Sequence, residues 1–245
     1  MPFPTTQWNL LEVMRDADDK ESRRAALGEV ISLYGRPLIA FARRQSHGSA
    51  TVEDCEDLVN SFFVKCMETE ALRSADQARG KFRNFLAKSF KYFMLNEDRA
   101  ERAIKKSPPA GFVSLEALTD EHGPSLEPRT TETPEEAFER VLRCSLFARL
   151  LSEFEDRCRK AGQEKKYQLF ALRDLAPRRD GTPVPTYAAL AESMDLASEN
   201  AANKILLAAR KEFRELLLAE VGRDCASERE AERECELVVE MALKG

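Results

Sequence analysis

Three carboxylates in the first quarter of the chain, Glu53, Glu56 and Asp57, are spaced to share one face of a helix. Grouped carboxylates can serve as a general acid and base or bind a metal ion. The chain has only two histidines, His47 and His122, and no histidine, nucleophile or glycine-rich loop accompanies the stripe. We therefore expect neither catalysis nor metal binding here. The stripe is either a docking face or an ordinary solvated helix face.

A basic segment follows in an otherwise acidic chain. From Arg79 to Lys106 there are nine basic residues against three acidic ones, although the formal net charge is -5. One predicted helix face interleaves cations with an aromatic residue: Asn84, Lys88, Lys91, Tyr92, Leu95, Arg99 and Arg102. Cations can grip phosphates while an unstacked base rests on the ring, so the face favours contact with nucleic acid. Phe85 and Phe90 are expected in the core.

Two closely spaced helices nearer the C-terminal end favour a helix-turn-helix. We predict helices at 187–193 and from Ser198 to about Leu218, with a turn at 194–197. The second helix should bury Ala202, Ile205, Ala209, Phe213 and Leu216. Its opposite face carries side chains that can reach base edges and phosphates in a major groove: Asn200, Asn203, Lys204, Leu207, Lys211 and Arg214. An ordinary helical hairpin with a solvated polar face is the alternative.

The elements that must position these residues are all predicted to be helical. Apolar residues between Leu27 and Phe41 recur at helical spacing, with a kink expected at Pro37. Thr51 is the predicted N-cap of a second helix, and a third spans about 81–103. The second helix should bury Cys55, Leu58, Val59, Phe62 and Cys66. No segment alternates in the manner of a strand, so we predict an all-α fold.

The helices group into two predicted domains. The first spans 1–103, and a linker rich in Pro, Ser, Thr and Glu follows at 104–134. The second spans 135–222 and opens at a capping box, Thr133-Pro134-Glu135-Glu136. A helical extension is predicted at 223–245.

Composition narrows the class of protein further. The six cysteines form no CxxC pair and are expected to pack as small buried hydrophobes, without a zinc site or disulfides. We find no apolar run of about 18 residues and no leader, so we expect a cytoplasmic protein without a membrane segment. The negative net charge argues against non-specific coating of nucleic acid.

Short segments also occur in a recognisable order. Residues 55–63 (CEDLVNSFF) and 82–86 (FRNFL) resemble the "AEDLVQEVF" and "FRxWL" stretches of region two in bacterial RNA polymerase sigma factors of the extracytoplasmic-function (ECF) type. Later segments complete the two-region layout: YAALA at 187–191, SEN at 198–200 and FRELL at 213–217. A long-linker subgroup of that family also shares Trp8 after FPTT, LEP at 126–128, TPE at 133–135 and FER at 138–140. The resemblance covers nearly the whole chain and rests on the order and spacing of these segments.

The resemblance implies a transcription initiation factor with three working surfaces. The first would dock on the clamp helices of the largest polymerase subunit, through Asp57, Leu58, Asn60 and Phe63. The second would recognise and open the minus-ten element, through Lys88, Lys91, Tyr92, Asn96 and Arg99. The third, in the second domain, would read the minus-thirty-five element, through Ser198, Asn200, Asn203, Lys204 and Lys211. Tyr92 and Asn96 stand where many members carry Asn and Asp, and Asn60 replaces the usual Gln.

The partners implied are core RNA polymerase and promoter DNA, with an anti-sigma factor or a regulatory kinase as further candidates. No cofactor or metal is implied, because the polymerase performs the chemistry, and we do not expect an enzyme. Two other functions remain open: a stand-alone helix-turn-helix regulator, and a helical adaptor that binds only protein, which the pI of 5.4 favours.

Overall fold

The residues that the structure describes lie in helices or in short connections next to them. The computed structural model describes residues 20–69, 72, 80–103, 125–126 and 131–244. No strand occurs in these ranges, so the predicted all-α class is confirmed. The first 19 residues, with the FPTT and Trp8 motif, and most of the predicted linker at 104–134 lie outside the described residues.

The chain divides into two compact units, whose boundary in the sequence falls between Leu142 and Arg143. Among the residues that the structure describes, unit 1 contains three helices and the start of a fourth. These are α1 (Lys20–Gln45), α2 (Val52–Thr69), α3 (Phe82–Ala103) and the first residues of α4 (Pro134–Lys160).

Aromatic rings fill the interior of unit 1. The ring of Tyr34 in α1 meets that of Phe82 in α3 edge-on at 5.4 Å and stacks on Phe138 of α4 at 6.3 Å. Phe62 of α2 lies 5.1 Å from Phe90 of α3 in a T-shaped arrangement. Such pairs add to the free energy gained by burying the rings. Because each helix contributes at least one ring, the core fixes which face of every helix points outward.

One stretch of α1, Arg24–Gln45, is long and apolar enough to cross a membrane by length and composition alone. Its most apolar part is 61% buried within the protein, and Val30, Leu38 and Phe41 lie in the core of unit 1. Core helices of soluble proteins pass the same test, so this stretch is only a weak indication of a membrane span.

Unit 2 contains the rest of α4 and a series of shorter elements. They are α5 (Glu164–Phe170), a π-helical segment (Ala171–Leu175), α6 (Ala176–Asp180), α7 (Tyr187–Ser193), α8 (Glu199–Val221), a 3-10 turn (Gly222–Asp224) and α9 (Glu228–Lys244). The ring of Phe213 in α8 lies 5.5 Å from Phe147, 5.8 Å from Phe154 and 5.2 Å from Phe170. This cluster joins α8 to α4 and α5.

The boundary between the units falls inside α4, whereas the second domain predicted from the sequence begins at 135. The predicted capping box is present: the Glu136 N–H donates to Thr133 Oγ1 at 3.2 Å, and the Thr133 N–H donates to Glu136 Oε2 at 2.7 Å. Just after it, Ala137, Phe138 and Val141 are buried within unit 1. A capping box is a local signal that starts a helix, and it carries no information about which core that helix joins.

The cysteines pack largely as expected. Cys55, Cys66, Cys158 and Cys235 are buried, and Cys144 and Cys225 are partly exposed. Burial raises the pKa of the Cys66 thiol to about 12 and that of the Cys55 thiol to about 11. Both thiols therefore stay protonated and unreactive near neutral pH.

The C-terminal helix α9 is an integral part of unit 2. Ala231, Cys235 and Val238 are buried on its inner side. Arg143 Nε of α4 donates to Glu234 Oε1 of α9 at 2.8 Å, and both side chains are only 10% exposed. Removing one partner of a buried ion pair leaves a desolvated charge without its compensation, so this pair fixes how α9 packs.

Glu234→Ala should therefore lower the free energy of unfolding of unit 2 by about 3–5 kcal/mol. The matched control is Glu232→Ala on the same helix, because the side chains of the Glu232–Arg214 pair are 48% and 66% exposed. Loss of that exposed pair should cost at most about 1 kcal/mol. Urea unfolding followed by circular dichroism measures both values. Equal losses in the two variants would contradict the role given to the buried pair.

Candidate nucleic-acid interface

The outward face of α3 is determined by what the helix buries. Phe82, Leu86 and Phe90 are each 0% exposed, and Phe85 is partly buried against the same core. Residues four apart share a helix face, so this burial turns the opposite face of α3 outward. The exposed residues include Asn84, Lys88, Lys91, Tyr92, Leu95 and Asn96. Four of the five α3 residues predicted to contact DNA therefore share an exposed surface, and the side chain of the fifth, Arg99, lies outside the described ones.

Tyr92 is the most exposed large apolar side chain of α3. Its relative exposure is 58%, and that of Leu95 is 41%. Lys88 lies one turn before Tyr92 and is also exposed. An aromatic ring open to solvent next to a cation is the combination that single-stranded nucleic acid binds, through base stacking and phosphate contacts.

A groove runs alongside this surface within unit 1, between α3 and the start of α4. Its volume is about 490 Å³, and its walls include Lys88, Tyr92 and Leu95 from α3 and Glu135 and Phe138 from α4. The groove combines an apolar floor with charged side chains at its rim. The start of α4 is thus part of the candidate interface.

Acidic residues of α4 pair with basic residues of α3. Lys91 Nζ donates to Glu135 Oε1 at 2.7 Å, and Arg83 Nε lies 3.1 Å from Glu139 Oε1. Partial burial alone would raise the pKa of Glu135, but the hydrogen bond and the charge of Lys91 outweigh it and lower that pKa. Glu135 is therefore ionised at neutral pH, and its carboxylate accepts a hydrogen bond from Lys91, one of the residues predicted to bind DNA.

The carboxylate stripe of α2 is exposed in part. Glu53 and Asp57 are exposed, whereas Glu56 and Asn60 are half-buried. The helix begins at a reciprocal cap, in which the Asp54 N–H donates to Thr51 Oγ1 at 3.1 Å and Thr51 N–H donates to Asp54 Oδ2 at 2.9 Å. The hydrogen bonds that the Thr51 N–H and the Thr51 hydroxyl donate to Asp54 Oδ2 lower the pKa of Asp54. Asp57 and Asn60 are thus placed where a partner protein can reach them.

Two of the predicted docking residues belong to the core. Phe63 is only 2% exposed, and its ring lies 5.4 Å from that of Phe62. Leu58 is partly buried and packs against the same cluster. The expectation that Phe63 contacts a partner directly is at odds with this burial. The apolar stripe of α2 is wider than the periodicity suggested, because both Phe62 and Phe63 face inward.

The two helices predicted at 187–193 and from Ser198 to about Leu218 match α7 and α8 of unit 2 closely. Thr186 Oγ1 accepts from the Ala189 N–H at the start of α7, and Ser198 Oγ accepts from the Ala201 N–H at the start of α8. Asp195, in the turn, has a φ of 50°, a conformation that Asp tolerates better than most residues. The interior side of α8 differs by one position from the prediction, since Leu206 is buried and Ile205 only partly so.

The exposed side of α8 carries most of the residues predicted to read DNA. Asn200, Lys204 and Lys211 are exposed, and Asn203 is half-buried. Ser198 is the helix cap, so its hydroxyl oxygen already accepts a hydrogen bond. Lys211 Nζ lies 3.9 Å from Glu215 Oε1, with the two side chains 79% and 65% exposed. Such exposed pairs hold their partners weakly, and Lys211 can still contact a phosphate.

The π-helical segment, which no sequence pattern predicted, contributes to the packing of α7 and α8. Asp174 accepts two hydrogen bonds from Arg210 of α8, at 2.6 and 2.7 Å. The Arg173 guanidinium lies 4.0 Å from the centre of the Tyr187 ring, at the start of α7. Adjacent residues of one segment thus hold α7 and α8. A π-helical turn has no local sequence signature comparable to a capping box, although it is frequent at functional sites.

Comparison with protein-family models, curated proteins and solved structures found no match to this chain. Within the described ranges, no group of three or more His, Cys, Asp or Glu side chains is placed to hold a metal ion.

Phe63→Ala should lower the free energy of unfolding of unit 1 by about 3–5 kcal/mol, because it empties a buried aromatic site. Asp57→Ala, on the exposed side of the same helix, should change it by no more than about 0.5 kcal/mol. Thermal and urea unfolding of the two variants measure the difference. If the Phe63→Ala variant is as stable as wild type, Phe63 does not contribute to the core and could instead contact a partner.

Proposed function

We propose that this chain is an RNA polymerase sigma factor of the ECF type, which binds core polymerase and directs promoter recognition and transcription initiation. The observation that carries the proposal is the exposed face of α3, where Tyr92 stands beside Lys88 and Lys91. The FRNFL segment that resembles the start of a promoter-melting helix opens this same helix. Sequence resemblance and surface chemistry therefore support one assignment at one place.

In the proposed mechanism α3 stabilises opened DNA. Lys88 and Lys91 bind phosphates of the minus-ten region, and a base drawn out of the duplex stacks on Tyr92. An aromatic platform favours the open complex over the closed one, because its partner base is available only after melting. The protein supplies binding and orientation, and the polymerase performs the chemistry.

Unit 2 is assigned the minus-thirty-five element. In helix-turn-helix proteins the second helix lies in the major groove with its N-terminal residues at the base edges. Asn203 and Lys204 stand in the first turns of α8. Lys204 is exposed, and half-buried Asn203 lies at the edge of the face that buries Ala202 and Leu206. An Asn side chain can pair with adenine through two hydrogen bonds, and Lys can reach guanine or a phosphate.

The exposed part of the α2 stripe is assigned to polymerase. Asp57 and Asn60 provide the contact surface, and buried Phe63 supports it from beneath. A polar docking surface agrees with the chain's acidic pI of 5.4, because a subunit positioned by a partner needs less positive charge of its own.

A stand-alone helix-turn-helix regulator is the second candidate, favoured by the capped α7 and α8 pair. Such a regulator would shift duplex DNA in a gel without polymerase, whereas a sigma factor should shift it only when polymerase is present. A helical adaptor would instead copurify with polymerase and leave transcription unchanged.

Run-off transcription tests the proposal directly. Core bacterial polymerase is incubated with genomic fragments in the presence and absence of the full chain, and the 5′ ends of the transcripts are mapped. We expect discrete start sites that require the chain. If polymerase binds the chain and no chain-dependent start site emerges, the sigma assignment is wrong and the adaptor is favoured.

Tyr92→Ala should impair promoter opening more than initial promoter binding, because it removes the stacking platform. The loss should be about 1–3 kcal/mol. Tyr92→Phe keeps the ring and serves as the control, with opening expected close to wild type. Permanganate reactivity of thymines near the start site reports opening. Equal reactivity in wild type and Tyr92→Ala would show that Tyr92 is not a stacking platform for an unpaired base.

Asn203→Ala and Lys211→Ala should affect minus-thirty-five recognition in different ways. Loss of Asn203 should relax preference at one base pair by about 1–3 kcal/mol. Loss of Lys211, farther along α8, should weaken binding evenly across sequences and flatten its salt dependence, as expected for a phosphate contact. Holoenzyme binding to a library randomised across the minus-thirty-five region measures both effects. Unchanged preference and salt slope in both variants would make this face of α8 ordinary solvated surface.

A further inference from the structure

Two contacts hold the start of α4 in unit 1 beside α3, one with α1 and one with α3. Phe138 is 1% exposed and stacks on Tyr34 in the core of unit 1. Arg83 and Glu139 pair at 3.1 Å, with side chains 13% and 22% exposed. These contacts fix the backbone of α4 close to α3. Glu135 lies about one turn before Phe138, so the packing of Phe138 places Glu135 at the candidate interface.

The pair that Glu135 makes with Lys91 differs from these anchors. The two side chains are 51% and 46% exposed, and the distance between Nζ and Oε1 is 2.7 Å. An exposed ion pair contributes little to stability and exchanges readily with solvent. Its carboxylate oxygen occupies a position on the ammonium that a phosphate oxygen would take. The neighbouring Glu136 has another task, because it accepts the Thr133 N–H at the helix cap.

We propose that Glu135 is a built-in competitor for nucleic-acid phosphate at Lys91, so that the α3 interface is partly masked until a phosphate displaces this carboxylate. The inference rests on the proposed function, since masking matters only if α3 binds nucleic acid. Displacement requires only that the Glu135 side chain rotate away, because Phe138 and Glu139 keep α4 in place. The groove of about 490 Å³ beside Tyr92 leaves room for that rotation.

Masking of this kind makes a specific energetic prediction. Lys91 must break its pair with Glu135 before it can bind a phosphate, so part of its contribution to affinity is lost in the wild-type protein. Removal of the Glu135 charge should recover that part. Because an exposed pair is weak, the recovery should be about two- to five-fold in affinity.

A double-mutant cycle on the full chain tests the proposal. The probe is a fluorescent single-stranded DNA of mixed sequence, about 20 nucleotides long, at about 50 mM salt, where phosphate contacts are strong. Binding is followed by fluorescence anisotropy for wild type, E135Q, K91Q and the double variant. The control is E68Q, which removes one charge from an exposed pair on α2, where the side chain of Glu68 is 60% exposed.

We expect E135Q to bind about two- to five-fold more tightly than wild type and E68Q to bind as wild type does. K91Q should weaken binding more in the E135Q background than in the wild-type background, because only there is Lys91 fully available. Thermal unfolding of each variant confirms that the helices are intact.

Each contrary outcome has one meaning. E135Q could tighten binding equally in the wild-type and K91Q backgrounds. In that case the charge of Glu135 repels DNA at a distance and does not compete for Lys91, so the competitor model is overturned. If E135Q binds as wild type does while wild type binds the probe, the competitor model fails and the proposed function stands. If no folded variant binds the probe, the assignment of α3 to nucleic acid fails, and the competitor model fails with it.

Discussion

Burial of one stripe of α3 in an aromatic core is the constraint on which the candidate interface depends. Phe82, Leu86 and Phe90 are fully buried, and Phe82 and Phe90 make ring contacts with other helices of unit 1. Rotation of α3 about its axis would expose these side chains and lose the free energy of their burial. Lys88 and Tyr92 are therefore held outward by hydrophobic packing, and no polar interaction is needed to present them.

The same core determines where the acidic residues of α4 lie. Phe138 stacks on Tyr34, so the turn that carries Glu135 must follow. The Lys91–Glu135 pair between α3 and α4 is about half exposed and too weak to place a helix by itself. Hydrophobic packing thus sets the position of α4 relative to α3, and the acidic side chains of α4 determine how accessible the basic side chains of α3 are to a ligand. Separation of these two roles allows the charge on Glu135 to change without loss of the fold.

Local features of the fold followed from the sequence, and features that depend on distant contacts did not. Helix starts at Thr51, Thr133 and Ser198 are encoded by capping side chains within three or four residues, and all three caps are present. Inclusion of the start of α4 in unit 1 depends on Phe138 meeting Tyr34, 104 positions earlier in the chain. Burial of Phe63 likewise depends on neighbouring helices. Periodicity identifies an apolar face, and it does not state how wide that face becomes after packing.

Charge balance argues that this chain needs a partner to bind nucleic acid tightly at physiological salt concentrations. Non-specific affinity comes from cations that neutralise phosphates, but here the formal net charge is -5. Lys91 pairs with Glu135, and Lys211 lies near Glu215. Each of these cations must therefore give up an acidic neighbour before it binds a phosphate, which lowers affinity at both candidate DNA surfaces. A protein built in this way gains selectivity when a larger assembly holds it near DNA, because local concentration then replaces the missing electrostatic attraction. This property suits a subunit that acts with polymerase better than one that searches DNA alone.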